Sequence, residues 1–231
     1  MATNATREAI ATSHSGAGSF AEDPLSMLDR VLTKLRTTWI SLTYPFARFG
    51  CGVSIHHSAD IRRSGSNRIS IGDRVYIARD TWLNIPEPAN AASPSIILEN
   101  GCKIGRRSMI SARNLVQLGA DVMLGPSVAI TDHSHEFSDP EQAIHAQGLT
   151  AGGTVTIEKN CWLGHGAAVI CTSGNLTVGR NSVIGANSVV TRSVAAYSVV
   201  VGSPAKIVRR FDQDSGKWLK TETKSDVIRS S

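Results

Sequence analysis

Residues 177–190, TVGRNSVIGANSVV, decide the fold. Val178, Ile184 and Val190 fall six apart, Gly179 and Gly185 follow two of them, and Ser182 and Ser188 stand four residues after an anchor. Neither the 3.6-residue helical period nor the two-residue period of a half-buried strand gives this spacing. The same step returns at Ile71, Ile77 and Leu83, at Leu98, Ile104 and Ile110, and at Leu118, Leu124 and Ile130. Gly72, Gly105, Gly119, Gly125 and Gly164 repeat the small follower, and Val75, Thr81, Cys102, Ser108, Val122, Val128, Cys161 and Ala167 repeat the fourth position. A six-residue internal repeat predicts a parallel β-helix. Three such faces make a coil of eighteen, and coils stack at about 4.8 Å. The aliphatic and the small residue point inward, and Gly is expected at the corners for its permissive dihedrals.

Composition agrees. The chain has 231 residues with 41% apolar and 5% aromatic content and 20 Gly, which favours thin repetitive layers over a thick aromatic core. The formal charge of +5 is scattered, with no basic run interleaved with aromatics, so nucleic acid is not an expected partner. Cys51, Cys102, Cys161 and Cys171 form no C-x-x-C pair and no zinc spacing, and read as reduced structural cysteines of a cytoplasmic protein. No secretory leader is expected.

Residues 1–23 read as a disordered leader. Residues 24–50 read as an amphipathic helix, with Leu25, Leu28, Val31, Leu32, Leu35, Trp39 and Leu42 at three- and four-residue steps, Asp23 as cap and Pro24 at the first position. Asp29, Arg30, Lys34 and Arg36 interrupt it and rule out a standard bilayer span. Its apolar stripe is expected to pack on the main body; the other use is peripheral contact with the inner membrane, where lipid-linked sugars are made. Residues 51–210 read as the β-helix, and 211–231, with Trp218, as a C-terminal tail.

The rhythm breaks at residues 64–70, 86–95 and 172–176, and most at 131–153, TDHSHEFSDPEQAIHAQGLTAGG. A loop of that length on a regular solenoid is usually functional. It leaves the coil after Ile130, so His133 and His135 stay near the wall, while His145 lies deeper and reads as solvated. An imidazole there suits general-base work on a hydroxyl, a contribution of about 10² to 10⁴ in rate.

The segment VTIEKNCWLGHGAAVICTSGNLTVGRNSVIGANSVVTRSVAAYSVVVGSPAKIV, residues 155–208, resembles the hexapeptide-repeat acyltransferases. It looks most like the maltose and galactoside acetyltransferases and the colanic-acid-type polysaccharide O-acetyltransferases. The resemblance spans 53–210. It implies a left-handed β-helix, a homotrimer, and acetyl-CoA-dependent O-acetylation of a sugar hydroxyl in surface-polysaccharide or glycolipid synthesis, with no metal. It implies a loop histidine as base: one alignment, on Asp132-His133, selects His133, and another, on His135 to Pro140, selects His135. Asp132, Glu136 or a main-chain carbonyl would orient the ring. Asn84 and Asp132 are implied beside the acceptor. For the donor it implies Trp162, His165 and Ala186 along the pantetheine arm, and Thr191, Arg192, Lys206 and Arg209 near the adenosine phosphates.

Three other readings compete. A sugar N-acetyltransferase would use the same base. A γ-type carbonic anhydrase would need His133, His135 and His165 as zinc ligands, yet residues 71–130 hold no His for the ligand that family takes from an earlier coil. A non-catalytic trimeric scaffold would leave the loop histidines and basic C-terminal residues without a role.

Overall fold

The structure is a computed structural model that describes residues 24–86 and 93–221. The expected leader and Asp23 lie outside the described residues. Three sheets, of six, nine and six strands, carry the chain. The first face holds Arg48–Phe49, Ile69–Ile71, Ile96–Leu98, Leu115–Leu118, Gly152–Ile157 and Ser173–Val178. The second begins at Ser54–Ile55 and continues through Tyr76–Ile77, Lys103–Ile104, Met123–Leu124, Trp162–Leu163, Val183–Ile184 and Ser198–Val201. The third holds Asp60–Ile61, Trp82–Asn84, Met109–Ser111, Ala129–Thr131, Ala168–Ile170 and Val189–Val190. Each strand pairs in parallel with the strand three further along the chain, except that Val183–Ile184 pairs in parallel with Ser198–Val201, two further along, and the end of the second face is antiparallel. That is a three-sided parallel β-helix.

The six-residue anchors fill its axis. Ile71, Ile77, Leu98, Ile104, Ile110, Leu118, Ile130, Val178 and Ile184 are fully buried, and so are the small partners Cys102, Thr81, Val122, Val128, Ala167, Ser182 and Ser188. Each large aliphatic so buried contributes about 1.5–3 kcal/mol. Burial pushes the Cys102 thiol up to about 12 and the Cys161 thiol up to about 11.

The glycines serve a different purpose from the one expected. The left-handed turn conformation falls two residues later, on Arg74, Arg107, Asp121, Ser127, Asn181 and Asn187, at φ of 54° to 59°. Asp and Asn tolerate that region better than most residues do. The glycines instead permit close stacking: a Cβ on Gly105 would sit 2.4 Å from the Gly125 carbonyl oxygen, and one on Gly164 2.8 Å from the Ala186 nitrogen.

The N-terminal helix α1 spans Pro24–Thr43, shorter than expected, and Arg48–Phe49 already belong to the first face. Tyr44 and Pro45 end it because proline disfavours helix in the residue before it. The helix also sits the other way round. Asp29, Thr37 and Ile40 face the first coil, whereas Met27, Leu28, Val31, Leu35, Trp39 and Leu42 are all more than half exposed. At the other end, Lys206–Asp212 runs across position 210, pairs antiparallel with Ser198–Val201, and returns through Lys217–Lys220. Trp218 packs there on Phe211, ring centroids 5.4 Å apart.

Candidate active site

The chain leaves the third face at Thr131, and the next residue is fully buried. Asp132 Oδ1 accepts the Arg113 N–H at 2.8 Å, and Oδ2 accepts those of Asn114 and Leu115 at 2.7 and 2.8 Å. Three main-chain donors thus hold one carboxylate. Oδ1 also lies 2.8 Å from His133 Nδ1. An ionised carboxylate only accepts, so Nδ1 carries the proton and Nε2 presents its lone pair. The imidazole is 10% exposed, enough for one edge to reach a ligand.

The rest of the loop base is stapled. Arg113 Nη1 donates to the carbonyls of Leu149, at 2.9 Å, and of Thr150. Asn114 Nδ2 donates to those of Ala151 and Gly153 at 2.9 and 3.1 Å. Thr150 N–H donates to the Ser134 carbonyl at 2.9 Å and Glu136 N–H to that of Gly148 at 3.0 Å, which zips the two arms together. His133 is therefore fixed by both its carboxylate and its backbone.

Arg113 and Asn114 were missed in the sequence. Their signal was a spacing: Ile110 to Leu118 spans eight residues where the repeat gives six. The extra length forms the corner that turns three N–H groups onto Asp132.

The other expected residues separate into groups. Asp132, expected beside the acceptor, has no exposed surface, and both its oxygens are engaged by main-chain N–H groups and His133 Nδ1. Glu136, another proposed orienting group, binds the N–H groups of Phe137 and Ser138 instead. His135 and His145 are exposed. Asn84 donates to Ser111 Oγ at 2.9 Å and is half-buried at the edge of a small pocket with Arg62, Gly65 and Ile85. Through the register Asn84, Ser111, Thr131, it stands two rungs from the loop base, about 10 Å away.

On the donor side, Thr191, Arg192 and Lys206 line one cleft of about 330 Å3 with Pro204 and Ile207. Thr191 continues the third-face column two rungs beyond Thr131. Arg209 does not line this cleft; it lies further along its strand, opposite Val199. His165 and Ala186 are exposed at the corner between the second and third faces. Trp162 lies on the second face, in a separate cleft of about 370 Å3 with Asn160, Tyr197, Phe211 and Trp218. Among the described residues of one chain, His133, His135 and His165 do not gather within metal-ligand distance.

Sequence and fold comparisons bear on this geometry. No family model matches the chain. It is 32% identical over 117 residues to an Escherichia coli protein named as the lipopolysaccharide biosynthesis O-acetyl transferase WbbJ, covering 48% of this chain and 58% of that protein. It is 27% identical over 160 residues to a Mycobacterium tuberculosis protein named as the acetyltransferase Rv3034c, covering 69% of this chain and 48% of that one. In fold it matches a variant of AntD, an N-acyltransferase from Bacillus cereus, solved with dTDP-4-amino-4,6-dideoxyglucose and coenzyme A. The TM-score is 0.61 at 16% identity over 84% of this chain and 92% of that one, a likeness of fold alone. The chain is therefore similar in sequence to acetyltransferases and in fold to an acyltransferase. This hexapeptide-repeat chain spans about half the length of the curated relatives it matches.

Proposed function

We propose that this protein transfers an acetyl group from acetyl-CoA to a sugar hydroxyl, with His133 as general base. The Asp132–His133 pair carries the reading: a buried, three-fold bonded carboxylate holds Nδ1 of an imidazole and leaves Nε2 for the sugar proton. Nε2 takes the hydroxyl proton as the sugar oxygen attacks the thioester carbonyl. Asp132 stabilises the imidazolium that forms, and the ring returns the proton to the departing CoA sulfur. One C–O bond forms and one C–S bond breaks, with no covalent acyl-enzyme.

The third-face column supports a division of labour. Asn84 lies on one side of the base and Thr191 on the other, with Arg192 and Lys206 beside Thr191 as counterions for the donor phosphates. The donor residues lie on two faces of one prism, which supports a groove closed by a neighbouring copy in a homotrimer. Left-handed winding of the coils and a cytoplasmic role in surface-polysaccharide or glycolipid synthesis complete the reading. The name of the E. coli relative supports O- over N-acetylation.

Peripheral membrane contact through α1 is also proposed. An outward apolar stripe with Trp39, flanked by Arg30 and Lys34, suits an anionic lipid surface. Among the described residues no helix is long and apolar enough to cross a membrane.

The test is thiol release from acetyl-CoA with a panel of hydroxyl and amino sugars. His133→Ala is expected to lower turnover by at least about 10² with CoA affinity kept, whereas the exposed His135→Ala keeps most activity. Full turnover in His133→Ala ends the proposal. Acetylation confined to amino sugars transfers it to N-acylation.

A further inference from the structure

The polar side of α1 meets the first coil at a cluster that the acyl-transfer reading does not use. Asp29 on the helix faces His56 and His57, which follow the second-face strand Ser54–Ile55. Asp29 Oδ1 lies 3.1 Å from His56 Nε2 and 2.9 Å from His57 Nε2, and Oδ2 lies 3.3 Å from His56 Nε2. The two imidazoles lie 4.3 Å apart between centroids, tilted by 31°. Two ring nitrogens from adjacent residues therefore converge on one carboxylate.

The far side of His56 is held by a chain of polar contacts. Its Nδ1 is 2.9 Å from Ser58 Oγ. That hydroxyl donates to Asp80 Oδ1 at 2.7 Å and accepts the Asp80 N–H at 3.0 Å. His56 Nδ1 also accepts the Ser58 main-chain N–H at 3.1 Å, so Ser58 holds this edge of the ring through both its hydroxyl and its backbone. His56 Nε2 faces the Asp29 oxygens at 3.1 and 3.3 Å, a separation that a proton on Nε2 bridges in the metal-free protein and a bound cation would bridge in its place. Tetrahedral ligands 2.0–2.1 Å from a zinc ion stand about 3.3 Å apart, close to the spacing here. The chain from His56 through Ser58 to Asp80 is the outer support that metal-binding histidines commonly have. Asp29 and His57 side chains are 41% and 36% exposed, which leaves a fourth position for water.

We propose that Asp29, His56 and His57 hold a divalent transition cation of the zinc class, which clasps α1 to the first coil. The clasp has a mechanical reason. The apolar stripe of α1 faces away from the body, and its other anchors include the Thr37 pairing with the Ile55 backbone, the Arg63 Nε–H donated to the Thr43 carbonyl at 3.0 Å and the burial of Ile40. Metal affinity supplies docking energy that the inverted stripe does not. The site is separate from the catalytic loop, so the inference stands or falls apart from the acyl-transfer reading.

The experiment titrates the chelator-treated, full-length protein with Zn²⁺ against a chromophoric competitor at pH 7.5, then repeats with Co²⁺. One ion per chain with Kd below about 10 μM and four-coordinate Co²⁺ absorption bands are expected, with slower amide exchange across α1 on loading. Asp29→Asn and His57→Ala should each weaken binding by about 100-fold. Ser58→Ala, which keeps all three ligands, should weaken it about tenfold. A wild-type Kd above about 10 μM overturns the proposal and leaves the cluster a set of hydrogen bonds. Unchanged one-ion binding in both Asp29→Asn and His57→Ala also overturns it.

Discussion

Replacing Asp132 by Asn separates the two jobs of that side chain. The carboxylate accepts three main-chain N–H bonds and faces one ring nitrogen. An Asn whose oxygen takes the Oδ2 position keeps the bonds from Asn114 and Leu115. Its NH2 group then opposes the Arg113 N–H and the His133 Nδ1–H. One bond to a charged acceptor is lost, and the other two weaken as the acceptor becomes neutral. At about 1.5–3 kcal/mol for a charge-assisted bond, the expected loss of stability is about 2–4 kcal/mol, within the 5–15 kcal/mol typical of a domain. Asp132→Ala would instead strip acceptors from three N–H groups and risks the fold. The chemical effect of Asn is larger than the structural one. Facing a donor, His133 turns to the tautomer with its proton on Nε2, the atom that must accept the sugar proton. Turnover should fall by about 10² to 10⁴ with CoA affinity unchanged. Two assays read this: thiol release from acetyl-CoA, and long-range ¹H–¹⁵N NMR of the imidazole, expected to report Nδ1–H in the wild type and Nε2–H in the variant. Wild-type turnover, or the same tautomer in both proteins, would refute the reasoning.

Two further outcomes are expected. In the folded protein an aromatic disulfide reagent should label the exposed Cys51 quickly and spare Cys102, Cys161 and Cys171, since burial blocks access and pushes the Cys102 and Cys161 thiols far above neutral pH; rapid labelling of more than one thiol without unfolding would contradict the packed axis. Vesicles containing anionic lipid should sediment the wild type and lose a Trp39→Ser/Leu35→Ser variant, whereas a change in oligomeric state with vesicle binding untouched would assign the apolar stripe to a second copy.

The six-residue period made the coil legible because every rung imposes the same volume on its inward positions. Any sequence that fills the prism must repeat aliphatic and small residues in phase, as Val178, Ser182, Ile184 and Ser188 do. Loop 131–153 was legible for the converse reason: it breaks that phase. His133 and His135 were both candidates, with His133 favoured, since both follow the break by a few residues. Only the folded corner separates them, because the carboxylate of Asp132 and the N–H groups of residues 113–115 come from different coils and meet at one imidazole. The same limit explains α1. Its periodicity showed an apolar stripe, but which side meets the body is set by Asp29 reaching His56 and His57, nearly thirty residues away. Repetition along the chain fixed the local shape of this protein; contacts between distant residues, which no spacing encodes, decided which histidine is aimed and which way the helix faces.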